Sequence, residues 1–264
     1  MFEQILLGTI QGIAEWLPIS SEGVIVLVKT HIFPTGGDIE AVIHQALQLH
    51  FGTLLAALVY FRRDVFVLVQ TIFNFKGQTQ ETQKLFSFLF ISTIISGIIG
   101  ITLLKLLSRL ADQFTAQAHT ITLVIGLLLL GTAFLELRAK KGGYRTYADI
   151  KFSDCILLGI VQGCAALPGL SRSGLTVSAL LLRKFDKAYA LKISFLMSMP
   201  IVLAGNILLN FSPLAWSWEI CAGIFAAFAF GLATIHLFLK IAEKINFGYF
   251  VLLIGVLTII SAVV

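Results

Sequence analysis

Apolar runs of about twenty residues recur along this sequence, and they restrict the chain to folds that a lipid bilayer can contain. A helix needs about 20 residues to cross the hydrocarbon core. Hydrophobic residues make up 58% of the 264 residues and charged residues only 12%, a balance typical of polytopic membrane proteins. We therefore predict an all-α integral membrane protein with about six transmembrane helices, at 40–61, 86–107, 119–137, 188–209, 219–239 and 246–263.

Two further apolar regions, 4–28 and 153–183, are interrupted near their middles. Pro18 and Pro168 each remove a backbone donor and bend a helix at that point. The halves that remain have about a dozen residues, too few to cross alone. Each region is therefore expected to form a re-entrant helical hairpin, which dips into the membrane and returns to the same face.

Basic residues in the connecting loops predict which face each loop occupies, because cytoplasmic loops carry the excess of Lys and Arg. Connections rich in these residues are 62–84, 138–145 and 240–244, and connections poor in them are 29–39, 108–118 and 210–218. The first group is expected on the cytoplasmic side and the second group outside. The first hairpin then enters from outside, and the second enters from the cytoplasm.

The two interrupted regions also resemble each other in sequence. Gln11-Gly-Ile-Ala-Glu-Trp-Leu-Pro-Ile-Ser-Ser-Glu-Gly23 and Gln162-Gly-Cys-Ala-Ala-Leu-Pro-Gly-Leu-Ser-Arg-Ser-Gly174 both open with Gln-Gly and close on serines and a glycine. Related hairpins that enter from opposite faces are typical of an inverted-topology repeat, with a site near the midplane where their tips meet. The prediction is one membrane domain, 1–264, with repeat halves of roughly 1–137 and 138–264.

Arg172 is the strongest indication of a binding site, since a guanidinium at the bilayer centre costs about 2.5–3.5 kcal/mol on insertion scales. Its planar fork matches the oxygens of phosphate. Ser171, Ser173 and Gly174 flank it where the return helix begins, so backbone N–H groups would bind an anion together with the guanidinium. The alternative is an internal ion pair between Arg172 and Glu15 that only fastens the two hairpins together.

Carboxylate and hydroxyl groups in the first hairpin are candidates for a metal ligand and a nucleophile beside this anion site. Glu15 and Gln11 are four residues apart, so they share a helix face and can offer oxygens to Mg²⁺ or Ca²⁺ together with phosphate oxygens. Ser21 or Ser20 could attack phosphorus or hold the substrate. Ser20 is equally suited to capping the half-helix that follows it.

His50 and Glu22 are further acid–base candidates. A lone intramembrane histidine more often packs through a hydrogen bond than acts as a base. His50 is nevertheless the first to consider, because it precedes Phe51 and Gly52, and glycine permits close helix approach. Glu22 supplies a second acid at the first tip, or it faces external water.

The remaining composition excludes several other classes. The net charge is +5, but Lys and Arg lie at the ends of apolar runs, where they fix topology and contact lipid headgroups, so no nucleic-acid partner is expected. Cys155, Cys164 and Cys221 show no Cys-x-x-Cys or Cys/His spacing, which indicates neither disulfides nor zinc. The first residues include Glu3 and no basic segment, so no cleavable signal peptide is expected.

These residues and motifs together resemble the undecaprenyl-diphosphate phosphatase family, the bacitracin-resistance proteins of the bacterial cytoplasmic membrane, over nearly the whole chain. Segment 11–23 is similar to the family's first motif. The family's second helix is matched by Leu49-His-Phe-Gly-Thr-Leu-Leu-Ala56 with Tyr60-Phe-Arg-Arg-Asp64. Its second motif is matched by Pro168-Gly-Leu-Ser-Arg-Ser-Gly-Leu-Thr176. The resemblance implies a multi-pass inner-membrane enzyme that hydrolyses the terminal phosphate of a polyprenyl diphosphate and yields the monophosphate carrier for cell-wall synthesis. It also implies an active site that opens to the outer face.

The resemblance assigns roles by position as well. Glu15 would be an acid of the catalytic centre and the metal site, and Gln11 stands where the family has Glu or Gln. Ser21 matches the serine that acts as nucleophile or phosphate ligand, and Arg172 matches the arginine that binds the diphosphate. The substrate-binding residues expected beside them are Ser20, Ser171, Ser173, Gly174 and Thr176.

One departure from the family motif bears on activity. The motif usually ends in Gly-His, whereas Val24 follows Gly23 here, and loss of a general acid–base group typically slows a reaction by about 10²–10⁴-fold. The main alternative is therefore a polyprenyl-phosphate flippase or transporter with weak or no hydrolysis, since inverted repeats with broken helices are transporter architecture. A non-catalytic lipid-binding protein is a third interpretation. A homodimer is an expectation from the family resemblance alone.

Overall fold

The structure is a computed structural model, and it describes residues 1–33, 39–113, 118–139, 143–167, 169–210 and 217–263. Within these ranges the regular structure is helical, apart from an isolated β-bridge between Arg145 and Phe185. The α-helices are α1 (Phe2–Ala14), α2 (Ser21–His31), α3 (Ile39–Tyr60), α4 (Arg62–Phe73), α5 (Gln80–Gln113), α6 (Ala118–Arg138), α7 (Phe152–Cys164), α8 (Arg172–Leu182), α9 (Lys187–Asn210), α10 (Trp218–Lys244) and α11 (Gly248–Val263). A 3-10 helix at Tyr147–Asp149 lies between α6 and α7.

Both interrupted regions form pairs of short helices, as predicted. Residues 15–20 separate α1 from α2, and residues 165–171 separate α7 from α8. Pro18 lies in the first break, whereas Pro168 lies outside the described residues. The longest of these four helices has 13 residues, so none of them is long enough to cross a bilayer alone.

Helices occupy all six runs that the sequence predicts to cross the membrane, namely α3, α5, α6, α9, α10 and α11. Among the described residues, three segments are long and apolar enough to span a membrane: Gln80–Leu106, Lys187–Leu208 and Trp218–Lys244. α5 has 34 residues and begins earlier than expected, because the polar residues from Gln80 to Lys84 extend its first turn. A multi-pass membrane protein accounts for helices of this length and composition.

Glycine pairs hold the first arm of each hairpin against a long helix from the other half of the chain. α1 packs on α10, where a Cβ at Gly8 or Gly12 would collide with backbone carbonyl groups. α7 packs on α5, where a Cβ at Gly159 or Gly163 would lie 2.7 Å from an isoleucine side chain. Both pairs have the Gly-x-x-x-Gly spacing that lets membrane helices approach closely. Each hairpin is thus held between the two halves.

A buried ion-pair cluster fastens the base of the second hairpin. Asp154 of α7 is fully buried, and it accepts hydrogen bonds from Arg145 Nη2 at 2.6 Å and Arg183 Nε at 2.7 Å. Arg145 also donates to the backbone oxygen of Arg183 at 2.9 Å. Since these residues come from both arms and from the segment before α7, the cluster fixes the two arms at the end opposite the tip.

Candidate active site

Two serines begin the return helices in the same way. Ser20 precedes α2 and accepts the N–H of Gly23 at 3.2 Å, and Ser171 precedes α8 and accepts the N–H of Gly174 at 3.1 Å. Ser20 has a φ of 59°, which is uncommon outside glycine, and strained residues of this kind cluster at functional sites. Both hairpin tips therefore present the positive end of a helix.

Glu15 and Arg172 join the two tips directly. Arg172 Nη2 donates to Glu15 Oε1 in an ion pair. The second carboxylate oxygen, Oε2, accepts hydrogen bonds from Gln11 Nε2 and Ser21 Oγ, each at 2.9 Å. The side chains of Arg172 and Glu15 are only 16% and 6% exposed. Charges so deeply buried need a partner, and each residue provides one for the other.

Contacts with helices α8 and α9 also hold the guanidinium in place. Arg172 Nη1 donates to the backbone oxygen of Ser194 at 3.5 Å. Thr176 Oγ1 donates to the backbone oxygen of Arg172 at 2.8 Å and lies 2.7 Å from Ser194 Oγ. These contacts hold the start of α8 and the Arg172 side chain against the same turn of α9.

His50 of α3 reaches the same carboxylate. Its Nδ1 lies 2.7 Å from the backbone oxygen of Ala46, which can only accept, so Nδ1 carries a hydrogen. Its Nε2 lies 3.3 Å from Glu15 Oε2 and 3.5 Å from Ser21 Oγ. A hydroxyl beside an imidazole that a third group orients is the arrangement of a nucleophile and its base. An imidazole is therefore present at the site, although position 24 is Val24.

A cavity of about 170 Å³ opens between the tips and helices α3, α5 and α9. Glu22, His50, Ser96 and Gln162 contribute to its polar end, and side chains of α5 and α9 form an apolar wall. The cavity is also lined by six residues that the sequence predicts for the site: Glu15, Ser20, Ser21, Ser171, Arg172 and Ser173. A charged end beside an apolar wall suits a lipid with an anionic headgroup.

Three predicted site residues, Gln11, Gly174 and Thr176, do not line this cavity. Gln11 is fully buried and reaches the site through its hydrogen bond to Glu15. The N–H of Gly174 already donates to Ser171 Oγ, and a Cβ at this position would collide with Glu136 of α6. Thr176 points to Ser194 instead of the cavity. Gly174 and Thr176 therefore have packing and positioning contacts here, and their contact with substrate stays a prediction.

Ser96 and Gln162 are polar cavity residues that the motifs do not single out. Gln162 occupies the position of Gln11 in the second copy of the repeat, and that correspondence could have identified it. Ser96 lies in the apolar sequence of α5 and donates to the backbone oxygen of Thr93 at 3.1 Å, as serines in membrane helices commonly do. No sequence signal distinguishes it from other such serines.

A divalent cation would find two oxygen-bearing side chains at the first tip. Gln11 Oε1 is buried and accepts no hydrogen bond within the described part of the chain, whereas both oxygens of Glu15 already accept hydrogen bonds. The described residues contain no group of three or more His, Cys, Asp or Glu side chains placed to hold a metal. Glu15 lines the cavity and can share a cation with phosphate oxygens or water, whereas Gln11 lies outside the cavity and turns its amide nitrogen to Glu15.

Fold and site together define a class: a multi-pass helical membrane protein with a cavity that combines a buried arginine and an apolar wall. Within this class, the chain belongs to the family described as bacitracin resistance protein BacA, whose model matches residues 4–260. The family expected from the two motifs is thereby confirmed.

Relatives that are named undecaprenyl-diphosphatase match almost the full length of the chain. The protein from Methanococcoides burtonii is 43% identical over 263 residues, which cover 98% of this chain and 97% of the relative. The protein from Methanothrix thermoacetophila is 34% identical over 260 residues, 97% of this chain and 95% of the relative. The protein from Syntrophotalea carbinolica is 34% identical over 249 residues, 91% and 89% of the two chains.

Proposed function

We propose that this chain is a membrane phosphatase that hydrolyses undecaprenyl diphosphate, or a similar polyprenyl diphosphate, to the monophosphate used as a lipid carrier in cell-wall synthesis. The observation that carries the proposal is the junction of the tips, where Arg172 lies beside the Glu15, Ser21 and His50 group in one cavity. The relatives' shared name, undecaprenyl-diphosphatase, supports the same activity.

Substrate binding begins with competition for Arg172. A diphosphate carries more negative charge than one carboxylate, so its oxygens can replace Glu15 Oε1 as partners of the guanidinium. Ser171 and Ser173 line the cavity beside Arg172. Ser173 Oγ donates to the backbone oxygen of Leu17 at 3.2 Å and lies 3.3 Å from Ser171 Oγ, so these hydroxyl groups would turn from their present partners to donate to the phosphates. Ser20 accepts a hydrogen bond as a cap but keeps its hydroxyl hydrogen for a ligand.

Glu15, Ser21 and His50 then supply the chemistry. Ser21 Oγ, or a water molecule beside it, attacks the terminal phosphorus, and the bridging oxygen leaves with the lipid monophosphate. In the structure the Ser21 hydroxyl donates to Glu15 Oε2, so it first turns to His50 Nε2, which lies 3.5 Å away. His50 then takes the proton of the nucleophile, and the nearby Glu15 carboxylate stabilises the imidazolium. When Ser21 is the nucleophile, water hydrolyses the phosphoserine in a second step and releases phosphate.

The cofactor in this proposal is Mg²⁺ or Ca²⁺, held by Glu15 and Gln11. When bound, the cation would neutralise charge on the diphosphate and so stabilise phosphoryl transfer. Gln11 would join Glu15 as a ligand only after its amide turns, because its nitrogen now donates to the Glu15 carboxylate. Removing divalent cations with a chelator is expected to abolish phosphate release, and adding Mg²⁺ or Ca²⁺ back is expected to restore it.

The membrane arrangement is part of the proposal. Six spans and two hairpins would form inverted repeat halves, 1–137 and 138–264, in a single domain of a bacterial-type cytoplasmic membrane, with the site toward the outer face. Helix packing supports the repeat, because α1 packs on α10 as α7 packs on α5, and α2 packs on α3 as α8 packs on α9. The proposed partners are the lipid substrate, the surrounding membrane lipids and a second copy of the chain in a homodimer.

The transporter alternative is not favoured. It arose because Val24 replaces the expected histidine, but His50 places an imidazole beside Ser21. The curated relatives also carry the name of a diphosphatase, not that of a transporter.

Purified protein with undecaprenyl diphosphate and Mg²⁺ or Ca²⁺ tests the proposal. We expect release of one phosphate for each lipid monophosphate formed, and loss of that release in Arg172→Ala and Glu15→Ala. Labelled protein from the terminally labelled substrate, absent in Ser21→Ala, would identify Ser21 as the nucleophile. If the wild-type protein releases no phosphate but moves labelled lipid across proteoliposomes, the phosphatase assignment is overturned.

A further inference from the structure

Three glycines line the apolar part of the cavity, although close helix packing does not require them. Gly97 and Gly100 lie on α5, and Gly205 lies on α9. Among the described atoms, a Cβ at Gly205 would meet nothing within 4 Å, and Cβ atoms at Gly97 and Gly100 would have their nearest neighbours at 3.7 and 3.5 Å. At Gly12 and Gly159, which do serve packing, the corresponding distance is 2.7 Å. The first three glycines therefore keep space open.

This space continues the anion site along two helices. Ile101 and Leu104 of α5 and Ile201 and Leu208 of α9 form its apolar walls. Each wall extends by several residues past the level of Gly97, or about 10 Å at the rise of an α-helix. Glycine is less favourable than alanine in a helix interior, so three glycines beside an open apolar cleft suggest that a ligand fills it.

Gln162 marks the point where the polar and apolar parts meet. Its Nε2 donates to Ser96 Oγ at 3.2 Å and to the backbone oxygen of Met197 at 3.3 Å. Because the Met197 oxygen can only accept, the amide orientation is fixed and Oε1 is the free end. Gln162 is 4% exposed and lines the cavity, and its Oε1 accepts no hydrogen bond from any described residue. Oε1 is itself buried, so Gln162 borders the cleft without offering a donor to phosphate.

We propose that the cleft formed by Gly97, Gly100 and Gly205 binds the first isoprene units of the substrate. This inference rests on the proposed function, since it assumes a diphosphate headgroup at Arg172. It adds that the protein recognises the chain as well as the headgroup. A methyl-branched isoprenoid is wide, and glycine surfaces on both helices give it room that larger side chains would remove.

Two diphosphates with the same headgroup and different chains test the inference. Dimethylallyl diphosphate has one isoprene unit and farnesyl diphosphate has three, so only the second extends along the cleft. We expect wild-type protein to prefer farnesyl diphosphate, measured as the ratio of the two kcat/KM values. Gly205→Leu and Gly97→Leu are each expected to lower this ratio by about tenfold or more.

Gly131→Leu is the matched control. Gly131 lies on α6 outside the cavity, and a Cβ there also meets no described atom within 4 Å. The ratio of the two kcat/KM values is therefore expected to be the same in Gly131→Leu as in wild type. Equal ratios in wild type, Gly205→Leu and Gly131→Leu would overturn the cleft assignment while phosphate release still supported the phosphatase.

A binding measurement keeps the inference separate from turnover. The rise in Tm on adding farnesyl methylenebisphosphonate, which resists hydrolysis, reports binding even in a protein that releases no phosphate. The cleft predicts a clear rise for wild type and Gly131→Leu and a much smaller one for Gly205→Leu and Gly97→Leu. The same rise in all four proteins would contradict it, and the Tm without ligand shows whether each variant is folded.

Discussion

At the scale of a single residue, Arg172 has two roles, one in the ion pair with Glu15 and one in phosphate binding. It neutralises Glu15 between the hairpin tips, and its planar fork can bind two phosphate oxygens at once. Arg172→Lys keeps the charge but loses the fork, so we expect kcat/KM for undecaprenyl diphosphate to fall by at least about 100-fold. Arg183→Lys is the control, because Arg183 pairs with Asp154 at the base of the hairpin. Activity of Arg172→Lys within a few-fold of wild type would contradict the assignment.

His50 is assigned as the base because its Nε2 faces both Ser21 and Glu15. His50→Gln keeps a polar side chain without a titratable nitrogen, and kcat is expected to fall by about 10²–10⁴-fold with a smaller change in KM. His236→Gln should be near wild type, since His236 pairs with Tyr60 and does not line the cavity. Adding Val24→His to His50→Gln is expected to restore part of kcat. An unchanged kcat in His50→Gln would show that a group other than His50 accepts the proton.

The charged pair at the site was predictable from the sequence, whereas its surroundings were not. Arg172 and Glu15 stand in apolar segments, and the cost of burying each charge predicts that they meet. The contact of His50 depends on the rotation of α3 relative to the first hairpin, which no local pattern specifies. Thr176 lies in the same motif as Arg172, but the rotation of α8 directs it to Ser194.

At the scale of helices, close packing of the hairpin arms depends on glycine. Gly159→Val would place atoms against Ile95 and the backbone of α5, and overpacking of this kind typically costs about 1–3 kcal/mol. We expect a lower Tm in detergent than for Gly131→Val, where the added side chain meets open space in the described structure. Equal Tm values for these two variants would show that α7 is not held by the contact with α5.

Helix positions followed from apolar runs and prolines, with one exception. Six long runs and two broken ones correspond to helices, and apart from the longer α5 and α10 their bounds are close to those predicted, because lipid leaves the backbone few alternatives to a helix. α4 was not predicted, since Arg62–Phe73 has only 12 residues and mixes charged with apolar side chains. Phe66, Ile72 and Phe73 of this helix are exposed, as in helices that lie at a membrane interface.

At the scale of the whole molecule, the candidate active site belongs to neither half of the chain alone. α1 of the first half packs on α10 of the second, and α7 of the second packs on α5 of the first, so the tips are placed by helices from the opposite half. Glu15 and Ser21 come from one hairpin and Arg172 from the other. The proposed anion site therefore needs both hairpins and both halves of the chain in their assembled positions.

The structure of the purified protein with farnesyl methylenebisphosphonate bound is the most direct measurement of this arrangement. Both phosphonate groups are expected between the two hairpin tips, within hydrogen-bond distance of the Arg172 guanidinium, with the terminal one beside Ser21 and the chain entering the cleft at Gly205. An analogue bound elsewhere on the protein, with Arg172 still paired to Glu15 and touching no phosphonate oxygen, would contradict the account.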